Sequence, residues 1–138
     1  MTKPNPANPT LSISRPDLAS ALEQIGAEIE HQPLRSSALA RIMRETFHGS
    51  DAGGTWDWRM AYDLMQATAV QALLRGDNSE DDYYAAKLLA SRLLTETRRS
   101  EQQIRLQQFS TPLPFAALTV RAAAIRKGET VLEPSAGT

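Results

Sequence analysis

The end of the 138-residue chain carries the residue types best suited to chemistry. Residues 129–133 are the one convincing strand that the sequence predicts, and Glu133 lies at its carboxyl end. Residues 134–138, Pro-Ser-Ala-Gly-Thr, then begin a turn of small residues. Small residues let a ligand approach the backbone, and a carboxylate at the end of a strand accepts hydrogen bonds from that ligand. The pattern is typical of a nucleotide-cofactor site; the alternative is an ordinary strand followed by a turn.

A second motif, Phe-Ser-Thr-Pro at residues 109–112, precedes this strand by one predicted helix. Residues 133–138 resemble motif I of class I S-adenosylmethionine-dependent methyltransferases, in particular the form Glu-Pro-Ser-Ala-Gly-Thr-Gly. Residues 109–112 resemble the motif that precedes motif I in the N6-adenine DNA methyltransferase group. Two such motifs in this order are a more specific signal than either motif alone.

The resemblance implies a set of cofactor-binding residues. Glu133 and the turn after it would surround the methionine part of S-adenosylmethionine, and residues 109–112 would lie along the same pocket. The residues assigned in this way are Phe109, Thr111, Pro112, Glu133, Ser135, Ala136 and Gly137. The sequence contains no Asn/Asp-Pro-Pro-aromatic motif to hold a base amine and no phosphate-binding loop of an ATPase. The chain alone is therefore expected to bind the cofactor poorly and not to catalyse a reaction.

Three segments extend the resemblance. Residues 47–58, 97–103 and 107–112 are similar to the bacterial strawberry notch-like proteins, large methylase/helicase fusions often found on plasmids. In that family a helical N-terminal region precedes a methyltransferase-like domain, and a helicase-like ATPase domain follows. The likeness covers residues 15–138 and implies that this chain is an N-terminal portion of such a protein. It implies two partners: DNA for the complete protein, and the remainder of that protein for this portion.

Helical periodicity predicts about five helices before and between these motifs. Ser14 is predicted to cap the first helix, because Asp17 follows it at capping-box spacing. Ser36 or Ser37 is predicted to begin the second helix, and Gly49 is predicted to end it.

The third helix is predicted from about residue 56 to residue 75, and the fourth from about residue 80 with an extension beyond Thr97 toward Gln108. A fifth helix is predicted to begin at residues 112–114 and to end at residues 126–128. The apolar stripe predicted for the fourth helix is Tyr84, Leu88, Leu89 and Leu93. The predicted core residues are Leu22, Ile25, Ile42, Phe47, Trp58, Tyr62, Met65 and Leu89.

These elements predict a mainly α chain in three parts. Residues 1–13 are expected to be a disordered leader, residues 14–108 a helical N-terminal region, and residues 109–138 the truncated start of a Rossmann-like class I methyltransferase domain. A lone strand cannot pair its backbone groups. Residues 129–138 are therefore expected to be poorly packed or to pair with another copy, which would form a homo-oligomer.

Charge is distributed unevenly along the sequence. Residues 1–86 hold 7 basic and 12 acidic groups, whereas residues 87–138 hold 8 basic and 4 acidic groups. Arg98, Arg99 and Arg105 belong to the basic part and are candidates for contact with a phosphate backbone. A solvated helix face is the favoured interpretation of these arginines.

Two loop features outside the motifs also have a functional and a structural interpretation. Trp56 and Trp58 would suit base stacking, but the favoured interpretation places Trp58 in the core and Trp56 in a hydrophobic staple. Asp51 and Asp57 lie beside glycines, but the alternating oxygen ligands of a calcium loop are missing.

Composition excludes several classes of site. The chain has no cysteine, which excludes disulfides and thiolate chemistry. Its two histidines, His31 and His48, are too few for a histidine-built metal site, and both are expected at helix ends. Without a transmembrane segment or a secretory signal in the sequence, no membrane partner and a cytoplasmic location are expected. The alternative function is an all-α module for protein–protein or nucleic-acid interaction without enzymatic activity.

Overall fold

The computed structural model of the chain describes residues 14–75, 82–96, 111–126 and 128–132, and these are mainly helical. The described residues form α1 (Arg15–His31), α2 (Ser36–Thr46), α3 (Trp58–Leu74), α4 (Asp82–Arg92) and α5 (Leu113–Ala123). The predicted mainly α fold is confirmed. The predicted leader at residues 1–13 lies outside the described residues. No helix in the described part of the chain is long and apolar enough to cross a membrane.

The first helix begins as its sequence predicts. The Ser14 hydroxyl accepts a hydrogen bond from the backbone N–H of Asp17 at 3.3 Å, and Pro16 occupies the first turn. Pro16 fits there because the first turn of a helix has no partner for its missing N–H. The predicted core residue Ile25 is buried, and so is Ile29 one turn later on the same face of α1.

The residue with the left-handed conformation after the second helix is one position earlier than predicted. His48, not Gly49, takes the left-handed conformation, with a φ of 53°, and the N–H of Gly49 donates to the carbonyl of Arg44 at 3.2 Å. Histidine is among the side chains that tolerate this conformation. Gly49 is required for a different reason: a Cβ there would collide with the side chain of Thr55.

The first core cluster lies between α1, α2 and α3. Half-buried side chains such as Leu22, Phe47 and Trp58 pack around its edge. The buried members are Ala21, Ile25, Ile29, Leu34, Leu39, Ile42, Met43, Trp56, Ala61, Tyr62, Leu64 and Met65. Four of the eight predicted core residues are thus buried, and Leu22, Phe47, Trp58 and Leu89 pack against the cluster from partly exposed positions.

The third helix starts two residues later than predicted, because Asp57 is its cap. The Asp57 carboxylate accepts from the N–H of Met60 at 2.7 Å. Trp56 precedes the cap, at the position of a hydrophobic staple, and is only 3% exposed. Trp58 is only half-buried and packs against the cluster from its edge, so Trp56 is the more buried residue of the pair. Helical spacing does not apply to a residue outside the helix, and the indole N–H of Trp56 is satisfied by the carbonyl of Gly49 at 3.0 Å.

The fourth helix presents a different face from the one predicted. Tyr84 and Leu88 are 68% and 57% exposed, whereas Ala86 is fully buried. Leu89 and Leu93 of the predicted stripe are half-buried and belong to the inner face. Two apolar stripes occupy opposite sides of this helix, and the sequence alone does not show which of them meets α3.

The fourth helix ends at Arg92, and residues 93–96 are not helical, so α4 does not continue to Thr97 as predicted. The rest of the predicted extension, residues 97–108, lies outside the described residues. The carbonyl of Arg92 accepts from the N–H of Leu34 at 2.8 Å. Its guanidinium donates to the carbonyls of Ile29 and Glu30 at 3.0 and 2.7 Å, which lie at the end of α1. A cation is favourable at that end of a helix, because the last carbonyls lack helical partners. Arg92 therefore fastens the end of α4 to the end of α1.

Residues 128–132 form no strand. α5 ends at Ala123, earlier than the predicted end at residues 126–128, because Ala124 takes the left-handed conformation with a φ of 50°. Gly128 also has a positive φ, 92°, but it lies beyond the helix. Val131 and Leu132 are 59% and 86% exposed. No strand lies beside them within the described residues, so the predicted strand has no ladder to join.

Candidate functional site

Thr111 and Pro112 are the predicted cofactor-binding residues that the structure describes. Both are exposed and lie directly before α5. The remaining predicted site residues lie outside the described residues: Phe109, Glu133, Ser135, Ala136 and Gly137, together with the arginines Arg98, Arg99 and Arg105.

The start of α5 holds these two residues in a defined conformation. Pro112 has a φ of −55° and a ψ of 135°, and its carbonyl accepts from the N–H groups of Phe115 at 2.9 Å and Ala116 at 3.1 Å. Pro114 follows in the first turn, where its lack of an N–H costs no hydrogen bond. The chain thus changes from extended to helical immediately after Pro112, which leaves Thr111 and Pro112 accessible from solvent.

The inner face of α5 packs mainly on α4. Leu113 is 8% exposed, and Ala69 of α3 and Ala86 of α4 are fully buried beside it in a second core cluster. Half-buried Ala117 continues the inner face one turn later. Because two of the three buried side chains are methyl groups, the helices approach one another through small residues.

The outer face of α5 is apolar but exposed. Phe115 and Leu118 are 59% and 42% exposed, and they lie on the side of the helix opposite Leu113 and Ala117. Within Leu113–Ala123, Thr119 and Arg121 are the polar residues. A helix that is apolar on nearly all sides is normally buried on nearly all sides. The composition of α5 is therefore typical of a helix packed between two layers of the fold. The described residues form one of these layers.

A closed turn separates α5 from the C-terminal motif. The N–H of Glu129 donates to the carbonyl of Arg126 at 3.1 Å, and the Glu129 carboxylate accepts from the N–H of Arg126 at 2.8 Å. Gly128 lies inside this turn, where its positive φ suits a residue without a Cβ. The turn lies between α5 and the exposed Val131 and Leu132.

The described part of the predicted site offers two exposed groups. The Thr111 hydroxyl both donates and accepts hydrogen bonds, and Pro112 has an apolar ring. No group of three or more His, Asp or Glu residues suited to a metal ion occurs among the described residues.

The aromatic and acidic residues of the loop before α3 are engaged in structural contacts. Trp56 and Trp58 pack edge to face with ring centroids 5.7 Å apart. The indole N–H of Trp58 donates to Asp51 at 3.1 Å, and Asp57 caps α3. Burial leaves Trp56 without an open face for a base.

Asp63 of α3 has a shifted pKa. Partial burial raises the pKa of its carboxyl group; the nearby Arg59 opposes this shift and Asp57 adds to it. The Arg59 guanidinium lies 3.9 Å from the carboxylate. Most of the Asp63 side chain is nevertheless exposed to solvent. It does not line a groove together with Thr111 or Pro112.

A groove of about 790 Å³ runs between α1, α3 and α4. Glu23 and Glu30 of α1 lie on one side of it and Arg75 of α3 on another, while Thr111 and Pro112 do not line it. The concave surface between the helices is thus separate from the predicted cofactor segment.

Sequence reasoning missed the seat of α5. Ala86 carries no signal that distinguishes it from Ala85, which is exposed. The two-sided apolar pattern of residues 113–123 was the available signal for a helix between two layers.

Comparison of the chain with protein-family models, with curated proteins and with solved structures finds no match.

Proposed function

We propose that the chain is the helical N-terminal region and the beginning of the methyltransferase-like domain of a strawberry notch-like methylase/helicase. In this proposal residues 14–96 form a scaffold, and residues 109–138 contribute one part of an S-adenosylmethionine site. The observation that carries the proposal is the placement of α5 between the two motifs, with an uncovered apolar face formed by Phe115 and Leu118.

The structure supports the proposal through the geometry of this segment. A class I methyltransferase domain is built on a parallel sheet, and a parallel sheet is covered by helices on both of its faces. The exposed outer face of α5 and the exposed Val131 and Leu132 are the surfaces that such a sheet would bury. Thr111 and Pro112 are accessible at the end of α5 where the proposal requires a pocket wall.

The proposed chemistry is methyl transfer to an amine of a nucleic-acid base in the complete protein. S-adenosylmethionine supplies an activated methyl group when it is bound. Glu133 accepts hydrogen bonds from the cofactor, and Ser135, Ala136 and Gly137 allow its close approach to the backbone, while residues 109–112 line the other wall. DNA is the proposed substrate, and Arg98, Arg99 and Arg105 are proposed contacts to its phosphates.

Cofactor binding tests this proposal directly. Calorimetric titration with S-adenosylmethionine would compare this chain with the longer protein that the proposal describes. We expect binding by the longer protein, and at least tenfold weaker binding by its Glu133→Gln variant. Glu129→Gln is the matched control, because Glu129 lies four residues earlier and contacts Arg126 in the turn. A folded longer protein that does not bind the cofactor would refute the proposal.

The second candidate function is an all-α interaction module, favoured by the same exposed face of α5. In this case Phe115 and Leu118 contact another protein or a second copy of the chain. Sedimentation of this chain and of a Phe115→Ser/Leu118→Ser double variant distinguishes the cases. Self-association of this chain that the double variant abolishes would favour the interaction module. A chain that stays monomeric at all concentrations would exclude a second copy of the chain as the partner.

A further inference from the structure

The helix α5 connects the two halves of the proposed cofactor site. Thr111 and Pro112 precede its first residue, and the Arg126–Glu129 turn follows its end. The position of α5 therefore determines where Thr111 and Pro112 lie relative to the helical region.

The seat of α5 is closed to solvent. Ala69 and Ala86 are fully buried, and Leu113 is 8% exposed against them. Added side-chain volume in a packed contact forces the neighbouring backbone to move. A larger side chain at Ala86 must therefore displace α5 or α4, and Thr111 and Pro112 must move with α5.

We infer that Ala69 and Ala86 are positioning residues for the cofactor site. Their methyl groups set the distance between the helical region and α5, and through α5 they set the place of the pocket wall at Thr111 and Pro112. This inference rests on the proposed function. In that function the helical region would influence the affinity for S-adenosylmethionine through residues that do not touch the cofactor.

The first experiment measures the seat itself in the present chain. Ala86→Leu is compared with Ala85→Leu, which adds the same side chain to the same helix at an exposed position. Hydrogen exchange of the backbone amides in Leu113–Ala123 is the readout. We expect at least tenfold faster exchange in α5 of the Ala86 variant, unchanged exchange in α1–α3, and no change in the Ala85 variant. Equal exchange in α5 of both variants would overturn the inference.

A second pair of variants keeps the test decisive if Ala86→Leu does not fold. Leu113→Ala loosens the same contact from the side of α5 without adding volume, and it is expected to speed exchange in α5. Ala86→Ser is the conservative variant, which is expected to retain the exchange rates of the original chain. Loss of protection throughout α1–α3 in Leu113→Ala would show that α5 is part of the general core and would also overturn the inference.

The closing experiment is titration of the longer protein with S-adenosylmethionine. We expect a roughly tenfold higher Kd for Ala86→Leu or Leu113→Ala, and an unchanged Kd for Ala85→Leu and Ala86→Ser. An unchanged Kd in a variant whose α5 has lost protection would refute the positioning role while leaving the proposed function intact. No binding by the unsubstituted longer protein would instead refute the proposed function, together with the inference that depends on it.

Discussion

The two core clusters of this molecule differ in the size of the side chains they bury. Between α1, α2 and α3, large side chains such as Ile25, Met43 and Met65 are fully buried. Between α3, α4 and α5, the buried residues are Ala69, Ala86 and Leu113. The first cluster is a complete hydrophobic core, whereas the second is a close contact between helices whose remaining apolar surface stays exposed.

This difference indicates separate roles for the two regions. Burial of a large apolar side chain stabilises a fold by about 1.5–3 kcal/mol, whereas a methyl group contributes about 0.8 kcal/mol. The α1–α3 region thus has its own source of stability. The α4–α5 region has little of its own, and the exposed Phe115, Leu118 and Leu132 would supply more if another surface covered them.

The largest expected effect comes from deletion of a side chain in the first cluster. Ile25→Ala should lower the free energy of unfolding by about 3–4 kcal/mol, because Ile25 is fully buried and its removal leaves a cavity. Leu113→Ala, in the second cluster, should cost about 2 kcal/mol, the low end for a buried leucine, since its surroundings can collapse. Urea unfolding followed by circular dichroism measures both, with Leu74→Ala as the control because Leu74 is 73% exposed. A larger loss for Leu113→Ala than for Ile25→Ala would reverse the comparison.

Arg92 joins the two regions, and its replacement should have the next largest effect. Arg92→Ala removes two hydrogen bonds to the carbonyls of Ile29 and Glu30. Loss of hydrogen bonds from a charged donor is expected to cost about 1.5–3 kcal/mol, measured by the same urea unfolding. Arg75→Ala removes an exposed arginine of the neighbouring α3 terminus and should change stability by less than about 0.5 kcal/mol. Equal effects of the two substitutions would show that the Arg92 contacts contribute nothing specific.

The cap of α3 contributes less. Asp57→Ala should destabilise the chain by about 1 kcal/mol, because the N–H of Met60 loses its acceptor. Asp57→Asn should retain most of the stability, since its side-chain oxygen can accept the same hydrogen bond. Thermal unfolding of the two variants tests this, and a lower stability of the Asn variant would assign the effect to charge instead of capping.

Asp63 should give the smallest effect and the one that depends on pH. Burial raises the pKa of its carboxyl group, so the folded chain binds a proton more tightly than the unfolded chain does. Stability contributed by the protonated form is therefore present at low pH and falls as the pH rises through the raised pKa. Asp63→Asn should be slightly more stable than the original chain at neutral pH, and the gap should close toward lower pH. Urea unfolding across this pH range measures the gap, and a gap that widens on acidification would contradict the prediction.

The sequence predicted those features that depend on local chemistry. Ser14 caps α1, Ile25 and Ile42 are buried, and Gly128 takes a positive φ, because caps, helical stripes and glycine turns are encoded within a few residues. The face of α4 was not predictable, since two apolar stripes compete and contact with α3 decides between them. Neither was the burial of Trp56, which depends on the loop that brings Gly49 to its indole.

The candidate site was predictable only as a motif. Thr111 and Pro112 are accessible as the cofactor interpretation requires, and the cofactor itself stays a prediction. The burial of Ala86 was not predictable, because an alanine in a helix is equally compatible with a buried and an exposed position.

The edge-to-face pair of Trp56 and Trp58 also has a spectroscopic consequence. The chain has two tryptophans, and both lie at the first core cluster, Trp58 beside Tyr62 with ring centroids 5.7 Å apart. Indole fluorescence therefore reports on α1–α3 alone, whereas far-ultraviolet circular dichroism reports on every helix. The difference between the fluorescence and circular-dichroism unfolding curves therefore measures how independently α4 and α5 unfold from the rest of the molecule.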